Sequence, residues 1–307
     1  MRFLAAVLVL TVVVGAGFVV LALTDNVPGV GELAEEAPSG PVAGHGGTDR
    51  FDSEAAFSFL ERQVELGPRP AGSEASRKLA EWLRAGLPNG RFQEVPGGLR
   101  NVVGEVPGRN PERYLVVGAH YDTKDLPGFV GANDGASGTA VVLELARTVE
   151  PRSLEPTDMF VLFDGEESPA GTPDDRFAEE GLRGSRVAAA AFGDAQAMIN
   201  VDFVGERGLR IPREENSDPE LWFELREAAK RTGYGEVFPP ATQPGILDDH
   251  IPFAERGIPA IDLIDFDFGC FHRACDDLDV VSARSLDAAG ETVLELLRTF
   301  DAGSPEV

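Results

Sequence analysis

The chain has 307 residues, 43% hydrophobic and 26% charged, which is enough apolar material for one domain with a sizeable core. Acidic residues outnumber basic ones 52 to 27, a net charge of −25. That balance excludes nucleic acid as an expected partner, because phosphate binding needs a basic face, and it disfavours docking on anionic lipid.

The chain opens with Arg2 and then 21 uncharged, mostly apolar residues from Phe3 to Leu23. As a helix rising about 1.5 Å per residue, such a run spans a hydrocarbon core of about 30 Å. It is longer than the apolar region of a signal peptide, and "LALTDN" is a poor cleavage site. Residues 1–24 therefore read as a signal anchor, with a cleaved signal peptide as the alternative. The expected location is the cell membrane, single-pass with the catalytic domain outside, or secreted after cleavage. The membrane is then met through this segment only. Residues 25–50, rich in Gly, Pro, Ala and acid, read as a disordered linker containing a solvated His45.

Residues 51–303 read as one globular domain. "FDSEAAFSFLERQVEL" predicts a helix capped by Asp52 or Ser53, "GPRPAGS" a loop, and "EASRKLAEWLRAGL" a second amphipathic helix. "RYLVVGAHYD" predicts a buried strand and "ASGTAVVLELARTV" the helix after it. "DMFVLFDGEE" predicts a strand ending in acid, followed by a helix at "GLRGSRVAAAAF" and a strand at "AQAMINVDFVG". "DPELWFELREAAKRTG", "IPAIDLIDFDF" and "SARSLDAAGETVLELLRTF" predict a helix, a strand and a capped final helix. Near-continuous apolar strands alternating with helices predict a single α/β domain with a mixed, mainly parallel sheet between helices.

Ligand sites in such sheets lie beyond the carboxyl ends of the strands. Here those ends carry His120 and Asp122, then Asp134 in "GANDGASG", then Asp164, Glu166 and Glu167 in "VLFDGEE". Asp202 ends "INVD", Asp248, Asp249 and His250 stand in "LDDHIPF", and His272 stands in "CFHRACDD". One such acid is explained by helix capping, but a series of strand-end clusters is not. Three of the chain's four histidines fall in them. Imidazole with carboxylate and no thiolate suits zinc or a similar divalent ion, and crowded carboxylates need a cation.

The motifs "GAHYDTK", "GANDGASGTA", "LFDGEE", "NVDF", "DDHIPF" and the late histidine, in that order over about residues 53–302, resemble the exported zinc aminopeptidases whose fold also includes the animal-type glutaminyl cyclases. The resemblance implies one or two zinc ions. Asp134 would bridge two metals, His120 and Asp202 would complete one site, and Glu167 and His272 the other. Glu166 would be the general base or proton shuttle, and Asp122 would orient His120. It also implies a cis bond after Asp134. Substrates would be peptide or protein N-termini.

Two reactions follow from the resemblance. A cyclase converts N-terminal glutamine to pyroglutamate with loss of ammonia. A di-zinc aminopeptidase hydrolyses the first peptide bond. Asp248 before the Asp249–His250 pair, the insert "SPAGTPDDRFAE" after the Glu pair, and "IPAIDLIDFDF" before an aromatic–His pair resemble cyclases, with Asp248 then in the active site. "GANDGASG" and a full five-ligand set lean towards peptidases, and Phe271 stands where cyclases commonly carry Trp. A non-catalytic ectodomain is disfavoured, because no ligand and no general base is lost.

The two cysteines, Cys270 and Cys275, flank His272. They offer too few thiolates for a zinc knuckle and lack the Cys-x-x-Cys spacing of a redox pair. In an exported chain they predict a disulfide that braces His272. Asp276 and Asp279 read as loop caps, Trp82 and Trp222 as core. Asp262 reads either as a partner of Asp248 or His250 or as a solvent-facing acid. Phe129 reads as a pocket wall or a loop anchor.

Overall fold

The computed structural model describes residues 50–301. The anchor expected over 1–24, and nearly all of the linker, lie outside the described residues. Among the described residues no helix is long and apolar enough to cross a membrane.

Helices α1 (Ser53–Glu65) and α2 (Glu74–Gly86) come first. Asp52 caps α1, its carboxylate accepting the Ala55 N–H at 2.9 Å, and Ser73 caps α2. A hairpin of β1 (Arg91–Val95) and β2 (Leu99–Val106) follows, then β3 (Asn110–His120), α3 (Ala136–Thr148) and β4 (Pro156–Phe163). After a 3-10 turn come the short α4 (Phe177–Glu180), α5 (Arg183–Ala191) and β5 (Met198–Val201). The two-residue strands β6 (Arg213–Glu214) and β7 (Thr242–Gln243) bracket α6 (Pro219–Thr232). The chain then runs through α7 (Ile251–Ala254), β8 (Ala260–Leu263) and α8 (Ala283–Thr299).

The main sheet has the order β1-β2-β4-β3-β5-β8. β1, β2 and β4 pair antiparallel, whereas β4, β3, β5 and β8 pair parallel. This is the mixed, mainly parallel α/β sheet expected. The hairpin is an addition that the helix–strand alternation did not predict.

Side chains alternate across the sheet with period two. Leu115 and Val117 of β3, Phe160 and Leu162 of β4, and Ile199 and Val201 of β5 enter one core. α1, α3, α6 and α8 cover that face. Val116, Met159, Val161, Phe163 and Met198 enter a second core on the opposite face, with α5 and Phe253 of α7. Two covered faces explain why the strands read as unbroken apolar runs. Trp222 is buried and Trp82 packs against the first core.

Candidate metal centre and active site

Strands β3, β4 and β5 are neighbours in the sheet and end on the same side, so their C-terminal residues converge. Glycine lets α3 come close to them. A Cβ at Gly138 would lie 1.9 Å from the Val201 carbonyl oxygen, next to Asp202. Gly135, at φ 89°, turns the chain into α3 directly after Asp134. No cis peptide bond is found among the described residues. The bond after Asp134 is thus trans, contrary to expectation, with Gly135 making the turn.

Two triads result. Ligand atoms of His120, Asp134 and Asp202 lie within 4.8 Å of one another, and so do those of Asp134, Glu167 and His272. His120 Nε2 is 3.2 Å from Asp134 Oδ1 and 3.4 Å from Asp202 Oδ1. His272 Nε2 is 3.0 Å from Glu167 Oε1 and 3.5 Å from Asp134 Oδ2. Asp134 belongs to both groups, offering one oxygen to each side.

The donor set fits a zinc-type ion: two imidazoles and three carboxylates, all but His272 buried. Asp134 Oδ2 is enclosed without a hydrogen-bond partner. Burial opposes charging of His120, yet the Asp202 charge and the carboxylates of Asp122 and Asp134 raise its pKa well above the usual imidazole range. Burial, against the pull of His120 and with the push of the Glu167 charge, lifts Asp134 to about 6. Both shifts mark a site that calls for positive charge.

Asp122 lies between the His120 ring and the glutamate turn. Its Oδ1 is 3.8 Å from His120 Nδ1, beyond hydrogen-bond reach. Its oxygens are taken by the backbone N–H groups of Gly165, Glu166 and Glu167, at 3.0, 3.2 and 3.3 Å. Asp122 therefore shapes the turn that presents the glutamate pair.

Glu166 and Asp248 line a cavity of about 400 Å³ with Asp134, Glu167, Asp202 and His272. Burial and the Glu167 charge push Glu166 well above the carboxylate range. Burial and the Asp202 charge bring Asp248 to about 6. The segment after the glutamate pair adds Asp174 and Phe177 to the lining, and Ile246, Leu247, Ile264, Phe266 and Phe271 make it largely apolar elsewhere.

Other candidates lie outside both triads. Asp164 accepts the Arg100 N–H at 3.0 Å and so ties β2 to the end of β4. Asp249 is fully buried, and its N–H donates to Asp248 Oδ1 at 2.5 Å. His250 is also fully buried, with Nε2 3.3 Å from Glu214 Oε1 and Nδ1 3.7 Å from Asp262 Oδ2. Asp262 is thus an interior partner of His250 and not a solvent-facing acid. Phe129 is buried and packs edge-on to His272 with ring centroids 5.9 Å apart, which makes it a loop anchor. Cys270 and Cys275 form a disulfide, their Cα atoms 5.5 Å apart. His272 between them sits at φ 52° and stacks on Phe271 at 3.9 Å.

Four polar residues escaped the sequence reading. Lys124 Nζ is 2.9 Å from Glu167 Oε2. Arg69, wholly buried, donates to the carbonyls of Gln63, Gly67, Val130 and Gly131. Asn200 Nδ2 donates to Asp248 Oδ2 at 3.0 Å and Asp262 Oδ1 at 3.1 Å. Glu214 faces His250. The final lysine of "HYDTK" was the one local hint.

Comparison with known proteins agrees with this geometry. The family model described as Peptidase family M28 matches residues 101–297. The chain is 30% identical over 193 residues to aminopeptidase YwaD of Bacillus subtilis, covering 58% of this chain and 39% of that protein. It is 27% identical over 281 residues to the glutaminyl-peptide cyclotransferase of Bos taurus, covering 70% of this chain and 72% of that one. The solved structure of an Acidobacteriales bacterium glutaminyl cyclase superposes with a TM-score of 0.73 at 30% identity, covering 88% of this chain and all of that one. The chain spans well under half the length of the Bacillus relative.

Proposed function

Because the chain belongs to peptidase family M28, we propose that it is a zinc-dependent enzyme acting on peptide or protein N-termini, and that its reaction is the cyclisation of N-terminal glutamine to pyroglutamate with release of ammonia. Asp134, Glu167 and His272 would hold an ion, and His120, Asp134 and Asp202 a second where two are bound. Bound zinc supplies Lewis-acid polarisation of a carbonyl oxygen.

The chain's own groups supply the proton chemistry. The substrate's α-amine nitrogen attacks its side-chain amide carbon; a C–N bond forms and the bond to the side-chain nitrogen breaks. Glu166 takes the proton from the amine and gives it to the departing nitrogen. Its raised pKa suits a group that must both accept and return a proton. Asp248, held by Asn200, faces the same cavity and offers a carboxylate to the substrate amine.

The observation that carries this reading is the wall made by the insert after Glu167. Asp174 and Phe177 narrow the cavity beside Glu166 and Glu167, which supports a substrate of one residue folded back on its own amine. Aminopeptidase activity is the second reading, favoured by the two triads that share Asp134. The Cys270–Cys275 disulfide supports an oxidising compartment for the catalytic domain.

The test pairs a Gln-initiated with a Leu-initiated peptide, each with and without chelator. Ammonia release without chain shortening is expected. Free leucine from the second peptide would favour the aminopeptidase, and activity that survives thorough metal removal would sink both readings.

A further inference from the structure

Asp134 is delivered by a tight turn, residues 130–134, which is gripped from two distant parts of the chain. On the carbonyl side, Arg69 donates from Nη1 to Val130 O at 2.8 Å and from Nη2 to Gly131 O at 3.3 Å. On the amide side, one residue takes three successive N–H groups. Asp276 accepts from Asn133 on Oδ1 at 2.7 Å, from Asp134 on Oδ2 at 3.0 Å, and from Ala132 on its main-chain oxygen at 3.3 Å.

Asp276 is fully buried, and both carboxylate oxygens are taken by backbone amides. It belongs to neither ligand triad. It follows Cys275 directly, and its own N–H donates to Arg273 O at 3.0 Å, which folds it onto the ring closed by Cys270 and Cys275. His272 lies inside that ring. A covalent ring and three hydrogen bonds therefore separate His272 from Asp134, two groups far apart in sequence whose ligand atoms must meet.

We propose that Asp276 is a positioning residue that holds Asp134 and His272 at the separation one metal ion requires. The proposal rests on the reading of those two side chains as ligands. Two adjacent N–H groups need two acceptor oxygens, so asparagine cannot replace aspartate here: its NH₂ would face one of the amides. Partners behind the ligands set their geometry, and losing one costs about 10–100-fold in metal affinity.

The experiment strips the protein of metal and titrates zinc against a competing indicator. It also reads the visible absorption spectrum with cobalt(II) in place of zinc. Asp276→Asn should lower zinc affinity about 10–100-fold and change the cobalt spectrum, while the metal-free protein melts within a few degrees of the parent. Asp276→Ser, which keeps one acceptor without the opposing NH₂, carries the same comparison if the Asn variant does not fold. Asp134→Ala is the control on the ligand reading. If it loses the metal while the Asp276 variant keeps parental affinity and spectrum, the positioning role alone is overturned. If Asp134→Ala keeps parental metal binding, the ligand reading and the positioning role fall together.

Discussion

Glu166 and Glu167 are chain neighbours that serve different rings. Glu167 Oε1 lies 3.0 Å from His272 Nε2, whereas the nearest ring nitrogen to the Glu166 carboxylate is His120 Nδ1, 3.9 Å from Oε2. Partners on either side give them opposite electrostatics. Burial raises both, but His272 and Lys124 outweigh it at Glu167 and bring that group below its usual value. Glu166 is raised.

That difference separates catalysis from metal binding. Glu166→Gln should lower kcat at least 100-fold and leave zinc content unchanged, since it removes proton transfer only. Glu167→Gln should lose zinc as well. Metal analysis beside kinetics checks this, and equal zinc loss in both variants would refute the division of roles.

Phe177 provides a test of the cavity wall. Removing its ring from the lining should cost about 1–2 kcal/mol of apolar contact, close to a 10-fold rise in KM for a Gln-initiated peptide, with kcat less affected. Steady-state kinetics of Phe177→Ala decide the matter. An unchanged KM would mean the insert lies beside the substrate without touching it.

Asp158 makes stability depend on pH. It sits fully enclosed in β4, on the face of Phe160 and Leu162, and burial alone raises its pKa to about 7. In the unfolded chain the group titrates near its ordinary value of 3.8. The folded state therefore disfavours the charged form, and stability falls as pH rises between those two values. The full loss, reached above pH 7, is at most about 4 kcal/mol. Asp158→Asn should remove this dependence. Its gain in Tm over the parent should be several degrees at pH 8 and clearly smaller at pH 5. An equal gain at both pH values would count against a buried, titrating Asp158.

The Cys270–Cys275 ring is small, so its loss should cost little global stability, about 2 kcal/mol by loop entropy. Its local effect should be larger. Replacing both cysteines by serine frees His272 from φ 52°, and zinc affinity should fall about 10-fold or more. A melt and a zinc titration on the same sample give both numbers. Unchanged affinity in the serine variant would show that the ring braces nothing.

Much of the centre could be read from sequence, because most of its candidate ligands stand at or just after the ends of apolar strands, and strand ends are local signals. His120, Asp134, Glu167, Asp202 and His272 do come together. What escaped depends on tertiary contact. Arg69 sits in "GPRPAGS", which has the composition of an exposed loop, yet its guanidinium is buried because four carbonyls converge on it. Asn200 reads as an ordinary strand residue until Asp248 and Asp262 appear on the neighbouring segments. The β1–β2 hairpin was missed because β1 is a half-exposed edge strand with Arg, Gln and Glu among its residues, and the apolar run of the buried β2 is broken by Arg100, Asn101 and Glu105. The bonds from the Gly165, Glu166 and Glu167 amides to Asp122 were not foreseen, since backbone partners leave no mark in sequence.

The cavity's floor and its wall come from different kinds of chain. Four of the candidate ligands stand at or just after strand ends or on the turn into α3, and His272 stands in the disulfide ring, whereas Asp174 and Phe177 belong to the 3-10 turn and α4 after the glutamate pair. The groups proposed for the chemistry and those that shape the wall therefore lie on separate stretches of chain. On the proposed reading, shortening the 168–180 segment should change substrate choice while zinc affinity at the two triads stays near parental, so the rim can be edited apart from the metal centre.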